Sequence, residues 1–105
     1  MKLPEGIIKP DDPFAQEIGF ISAGFADGSY LWGVPDENKI WITVVISKVK
    51  GAFASMMKNI EALGLTFIIP TPLGRMIEIA HKQGWKIKSM YVEEADDNID
   101  YLTNR

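Results

Sequence analysis

Between Lys39 and Trp85 the chain reads as strand, glycine turn, helix, strand, proline-started helix, strand, and no other stretch restricts the fold as much. Lys39 to Ser47 (KIWITVVIS) is a nearly unbroken apolar, β-branched run, the pattern of a strand buried on both faces. It leads directly into Lys48-Val49-Lys50-Gly51, after which Phe53, Met56, Met57, Ile60 and Leu63 mark one face of a helix that Gly64 ends. Leu65 to Ile69 (LTFII) is a short apolar strand. Thr71 caps a helix with Pro72 at its first position, Leu73, Met76, Ile77 and Ala80 as its buried stripe, and Gly84 at its end. Trp85 to Glu93 then alternates as a strand with one wetter face.

Upstream, Asp12 and Pro13 form a helix start, and Phe14, Ile18, Ile21 and Phe25 recur at helical spacing up to Gly28. A strand is the competing reading of Ile18 to Phe25, because Gly19 and Gly24 weaken a helix. Ser29 to Val34 reads as a strand, Pro35 to Asn38 as a turn, and Lys39 to Ser47 as the antiparallel partner. Residues 1–12 read as an irregular arm and 94–105 as an acidic tail or a last short element. The hairpin needs an antiparallel pair, and each strand-helix-strand unit needs a parallel pair with a right-handed crossover. An α+β (α/β-like) fold, a mixed β-sheet with packed helices in one domain spanning 1–105, satisfies both.

The sequence lacks cysteine, which excludes disulfides, thiolate metal sites and a cysteine nucleophile. No apolar run approaches the ~18 residues of a membrane span, and the first residues do not resemble a signal peptide, so a cytoplasmic protein is expected. The net charge of −3 conceals an uneven distribution: residues 1–38 carry −5, residues 39–88 carry +6 and residues 89–105 carry −4. A basic centre attracts an anionic ligand or holds the acidic ends in place, whereas nucleic-acid binding is not expected of an acidic chain. Asp96, Asp97 and Asp100 lack calcium-loop spacing, and His81, the only histidine, has no partners for a hydrolase triad. Trp32, next to the hairpin turn, is the aromatic residue expected at an interface.

A strand that delivers a glycine and exposed amides to a helix N-terminus can hold an anion such as a pyrophosphate. The alternative is a tight turn where only glycine packs. Lys48-Val49-Lys50-Gly51-Ala52-Phe53, together with the order of elements, resembles the core of the GNAT-type N-acetyltransferases. Their central strand enters a loop of pattern Gln/Arg-x-x-Gly-x-Gly/Ala that holds the pyrophosphate of acetyl-coenzyme A. Leu73 to Trp85 (LGRMIEIAHKQGW) falls on the family helix Asn-x-x-Ala-x-x-x-Tyr-x-x-x-Gly-Phe and shares its Gly-aromatic ending. The resemblance covers roughly residues 29–92. The chain is too short upstream for the family's usual first strand and helix pair, so the fold implied is a truncated one. Reduced versions of this fold are similar to some small bacteriophage proteins.

The resemblance implies acetyl-coenzyme A as ligand and an amine as acyl acceptor. Amides near Val44, Val45 and Ile46 would polarise the thioester carbonyl, and Lys48, Lys50, Gly51, Ala52, Ala54 and Ser55 would hold the pyrophosphate. Phe53 stands where a tiny residue is expected and either crowds the phosphates or turns into the core. Ala80 stands at the family tyrosine that reprotonates the thiolate, and the helical rotation of about 100° per residue turns the neighbouring His81 away from the site. These departures motivate the alternative, a non-catalytic protein of the same fold that binds a macromolecular partner or self-associates as a homodimer.

Overall fold

The computed structural model describes residues 2–70 and 74–104, and for residues 74–77 and 79 the backbone alone. The order of elements is β1 (Gly6–Ile8), α1 (Pro13–Glu17), β2 (Tyr30–Val34), a 3-10 turn (Pro35–Glu37), β3 (Lys39–Val44), α2 (Ala52–Ala62), β4 (Thr66–Pro70), α3 (Gly74–Gln83), β5 (Lys86–Val92) and β6 (Asp97–Thr103). The strands form one mixed sheet in the order β1-β2-β3-β4-β6-β5. β3 and β4 are parallel, as a helical crossover requires, and the other pairings are antiparallel. The fold is therefore α+β, a mixed sheet with helices packed against it.

One face of the sheet is the core. Ile8, Leu31, Ile40, Phe67 and Leu102 are fully buried there against Met56, Met57 and Ile60 of α2, Phe14 and Ala15 of α1, and Ala80 of α3. The hairpin of β2 and β3 turns on Asn38, which takes the left-handed conformation at φ 56°. Gly33 is required for packing, since a Cβ there would lie 2.1 Å from the Pro4 carbonyl oxygen of the crossing N-terminal arm.

Several expectations are corrected. Residues 6–8 of the supposedly irregular arm form β1 on the edge of β2. Helix α1 stops at Glu17 instead of continuing to Asp27, because the chain turns left-handed at Gly19 and the Phe20 N–H closes on the Ala15 carbonyl at 2.8 Å. Ile18, Phe20 and Phe25 are still buried, but from irregular chain, with the two phenyl rings edge-on at 5.0 Å. Lys39 to Ser47 is not one doubly buried strand: β3 ends at Val44, and Val44 and Ile46 are exposed. Residues 94–105, read as an acidic tail or a last short element, contain the strand β6, which inserts between β4 and β5, so these two strands are parallel without being neighbours. Asn104 fastens this strand's end by accepting from the Phe67 N–H and donating to the Leu65 carbonyl.

The sequence reading of the third helix is matched by the backbone of α3, with Ala80 buried and Gly84 left-handed after its end. Its proposed cap Thr71, first residue Pro72 and stripe residue Leu73, and the side chains of Met76 and Ile77, lie outside the described residues. Leu63, expected on the buried face of α2, is exposed at the C-cap.

Candidate functional site

β3 carries a bulge just before it leaves the sheet. Leu31 pairs with Ile42 and Tyr30 with Val44, which leaves Thr43 as the extra residue, its hydroxyl donating to the Tyr30 carbonyl at 2.6 Å. A bulge of this kind bends the strand and re-aims the residues beyond it. The chain after Val44 pairs with residues 24–26: Ala26 N–H donates to the Ile46 carbonyl, and Lys48 N–H to the Gly24 carbonyl, each at 2.8 Å. The buried Ser29 hydroxyl accepts from the Ile46 N–H at 3.0 Å. These bonds fix the segment that carries the candidate residues.

The parallel pairing of β3 with β4 covers only Lys39 to Trp41 against Thr66 to Ile68. Beyond it β3 turns toward residues 24–26 while Ile69 and Pro70 pair with β6. The carboxyl ends of these two strands thus diverge, and α2 begins beside Gly24, where an added Cβ would lie 3.3 Å from the Ala52 Cβ. Ligands in sheets with parallel strands commonly bind outside such ends.

Helix α2 starts at Gly51, which is left-handed at φ 86° and has no side-chain cap. The Ala52 N–H turns back on the Val49 carbonyl, which also accepts from the Ser47 hydroxyl. Among the described residues, no protein acceptor meets the N–H groups of Gly51, Phe53 and Ala54. Uncapped amides and the aligned peptide dipoles leave this end of α2 partly positive. Lys48 and Lys50 are exposed beside it, and a Cβ at Gly51 would meet nothing within 4 Å.

Lys48, Lys50, Gly51 and Ser55 share this exposed junction, with Ala54 half-buried in the first turn. Val45 and Ala52 pack against the core instead, Ala52 close to where a Gly24 Cβ would sit. The Ile46 and Lys48 amides are committed to Ser29 and Gly24, so neither is free to polarise a carbonyl. Phe53 also packs against the core, which keeps its ring off the loop. Val44, Ile46 and Val49 are exposed, so an apolar strip accompanies the two lysines. Sequence reasoning missed Ser29 as a strut and Thr43 as the bulge; neither leaves a local signal.

His81 is exposed in the last turn of α3 and its neighbour Ala80 is buried, so the position that the resemblance aligns with a tyrosine carries no titratable side chain. Among the described residues no group of three His, Asp or Glu side chains could hold a metal. Of the acidic residues near the C-terminus, Asp96 accepts from the Tyr91 hydroxyl and Asp100 from the Ser89 hydroxyl. Among the described residues no helix is long and apolar enough to cross a membrane. No protein-family model matches the sequence, and no curated protein or solved structure matches it either.

Proposed function

We propose that the chain is a reduced GNAT-like protein that binds acetyl-coenzyme A at the junction of β3 and α2 and passes the acetyl group to an amine. The observation that carries this reading is the uncapped, glycine-started N-terminus of α2 beside Lys48 and Lys50, with Phe53 turned into the core. It is a site suited to a pyrophosphate. The exposed strip of Val44, Ile46 and Val49 suits the apolar arm of the same ligand. The parallel strand-helix-strand unit and the bulge in β3 support the placement.

Bound acetyl-coenzyme A supplies an activated thioester. Transfer needs an amine nitrogen held against its carbonyl carbon: the C–N bond forms, the C–S bond breaks, and the amine proton leaves to solvent or to the thiolate. The contribution of this chain is positioning, together with the partly positive end of α2. A buried Ala80 and an outward His81 supply no acid, which favours slow transfer or binding without transfer.

Calorimetric titration with acetyl-coenzyme A tests the reading. A saturable heat that is lost in Gly51→Glu is expected. Absence of binding at millimolar ligand overturns it in favour of a protein that acts by association alone.

A further inference from the structure

Two hollows adjoin at the β1–β2 end of the sheet and share Ile7 and Tyr30. The first, of about 420 Å³, is walled by the rings of Tyr30, Trp32 and Trp41 together with Thr43. Ile7 pairs with Trp32 and Trp32 with Trp41, so these side chains share one face of the sheet, and Trp32 is 43% exposed. The second hollow, of about 430 Å³, is lined by Lys9, Asp11 and Asp27. Asp27 stands at the corner of a turn that the Ser29 N–H closes on the Ala26 carbonyl at 3.2 Å, with Gly28 at φ 89°. Its exposed carboxylate has no hydrogen-bond or ion-pair partner among the described residues. Asp11 is held left-handed at φ 73°, its N–H donating to the Phe20 carbonyl at 3.0 Å and its carboxylate accepting from the Ser22 N–H at 2.9 Å. Hydrogen bonds from the Ser22 hydroxyl and N–H hold the Asp11 carboxyl below the usual carboxylate value, so it is ionised at neutral pH. Lys9, exposed and unpaired among the described residues, is the one cation of this lining, which leaves a carboxylate in excess.

We propose that the two hollows form one cleft that binds a small organic cation, an ammonium group carried on an aromatic or apolar body. The body lies against Trp32 and Trp41, and the ammonium sits past Tyr30, between Asp27 and Asp11. Each part of the ligand meets its complement. Indole rings offer apolar area and a negative π face, which attracts a cation and its polarised neighbouring CH groups. The free Asp27 carboxylate and the fixed Asp11 carboxylate accept charge-assisted hydrogen bonds from the ammonium. Two residues of strand separate Trp32 from Tyr30, about 7 Å, the scale of the distance from ring to nitrogen in an arylalkylamine. A neutral ligand gains nothing from the carboxylates, and an aromatic anion is repelled by them. The cleft uses none of the residues at the junction of β3 and α2, and it stands whether or not the chain transfers an acetyl group.

Nitrogen-15 NMR titration of the full chain with 2-phenylethylamine, at low salt and without coenzyme A, tests the proposal. The three tryptophans give three indole N–H signals, and those of Trp32 and Trp41 are expected to shift saturably. Trp85, whose indole N–H is committed to Glu61, is expected to stay in place and serves as the internal control. For so small a ligand a dissociation constant on the order of 1 mM is expected. Asp27→Asn is expected to weaken binding about fivefold or more, since it removes the unpartnered charge. Trp32→Ala is expected to weaken it about tenfold. Asp36→Asn removes an exposed acid outside the cleft and is expected to change nothing. Asp27 makes no contact that folding needs, so Asp27→Asn decides the matter if Trp32→Ala does not fold. Equal affinity for the neutral 2-phenylethanol, or for Asp27→Asn and the intact chain, overturns the proposal and leaves an apolar patch. Shifts that do not saturate by about 20 mM, or that move Trp85 equally, overturn it as well.

Discussion

Trp85 ties the last helix-to-strand turn to α2: its indole N–H donates to the Glu61 carboxylate at 3.0 Å while its ring meets Phe67 edge-on, centroids 4.8 Å apart. The Trp85 N–H also closes α3 on the Ala80 carbonyl at 2.9 Å. Side chain and backbone N–H of this one residue thus connect α2, β4 and α3. Trp85→Phe keeps most of the ring contact and is expected to cost about 1 kcal/mol, the value of a single hydrogen bond. Trp85→Ala is expected to cost about 3 kcal/mol, at the low end for an aromatic truncation because the ring is only partly buried. Glu61→Gln keeps an acceptor and should be nearly neutral. Urea unfolding curves distinguish the three.

Two substitutions at Gly51 separate charge from backbone strain. Any side chain there must hold φ 86°, at a cost of about 1–2 kcal/mol, but it meets no neighbour. Gly51→Ala should therefore lose stability by that amount and largely retain coenzyme A affinity. Gly51→Glu adds an anion at the N-terminus of α2 and should weaken binding by about tenfold or more, equivalent to at least about 1.4 kcal/mol. Calorimetry on folded variants checks this; equal affinity in all three proteins would remove the loop as the site.

Catalysis, if measured, should not depend on His81. The side chain is exposed in the last turn of α3, and His81→Ala should leave turnover within about threefold, whereas loss of a general acid costs about 10²–10⁴. Ala80→Tyr restores a phenol in sequence only. Ala80 is 1% exposed, so the larger ring should overpack the core and destabilise the protein by about 1–3 kcal/mol. Acetyl transfer assays paired with thermal unfolding read both effects.

The β5–β6 hairpin should respond to alkaline pH. Tyr91 donates to the Asp96 carboxylate, and this hydrogen bond, with a smaller contribution from desolvation, raises the phenol above its ordinary value of 10.0. A raised folded-state pKa means that the stabilisation is fully present below the ordinary phenol value and is lost as pH rises through the elevated one. Phenolate absorbance should show one late-titrating tyrosine, absent in Tyr91→Phe and shifted down in Asp96→Asn. A titration of wild type identical to that of Asp96→Asn would contradict the assignment.

The elements most legible in the sequence were those with a local period or a local breaker. Met56, Met57 and Ile60 announced α2, Pro35 to Asn38 announced the hairpin, and Gly64 and Gly84 marked the helix ends. β1 was hidden because Gly6, Ile7 and Ile8 are too few to alternate visibly and sit between prolines. β6 was hidden for another reason: DNIDYLT is acidic and becomes a strand through its pairing with both β4 and β5. Helix α1 was overestimated because Ile18, Phe20 and Phe25 are buried without being helical, Ile18 giving its carbonyl to the Asn59 side chain across 41 residues.

The same division runs through the candidate site. The strand-glycine-helix junction could be read from Lys48 to Gly51, since it is continuous in sequence. The exposure of Ile46 and the occupation of its amide depend on Ser29, 17 residues away, and on the strap at residues 24–26. Nothing in Ser29 itself distinguishes a buried strut from a surface serine.

The insertion of β6 between β4 and β5 also sets an order of events during synthesis. β5 leaves the ribosome before β6, and β6 is the strand that connects it to the rest of the sheet. Until residues 97–103 emerge, the outer edge of β4 stands open with Ile68 and Ile69 along it, and β5 has no strand to join. An unpaired apolar edge is a template for misassociation. The nascent chain is thus most exposed to aggregation just before β6 arrives, and a stall or cleavage within residues 93–103 should produce insoluble material rather than a smaller folded protein.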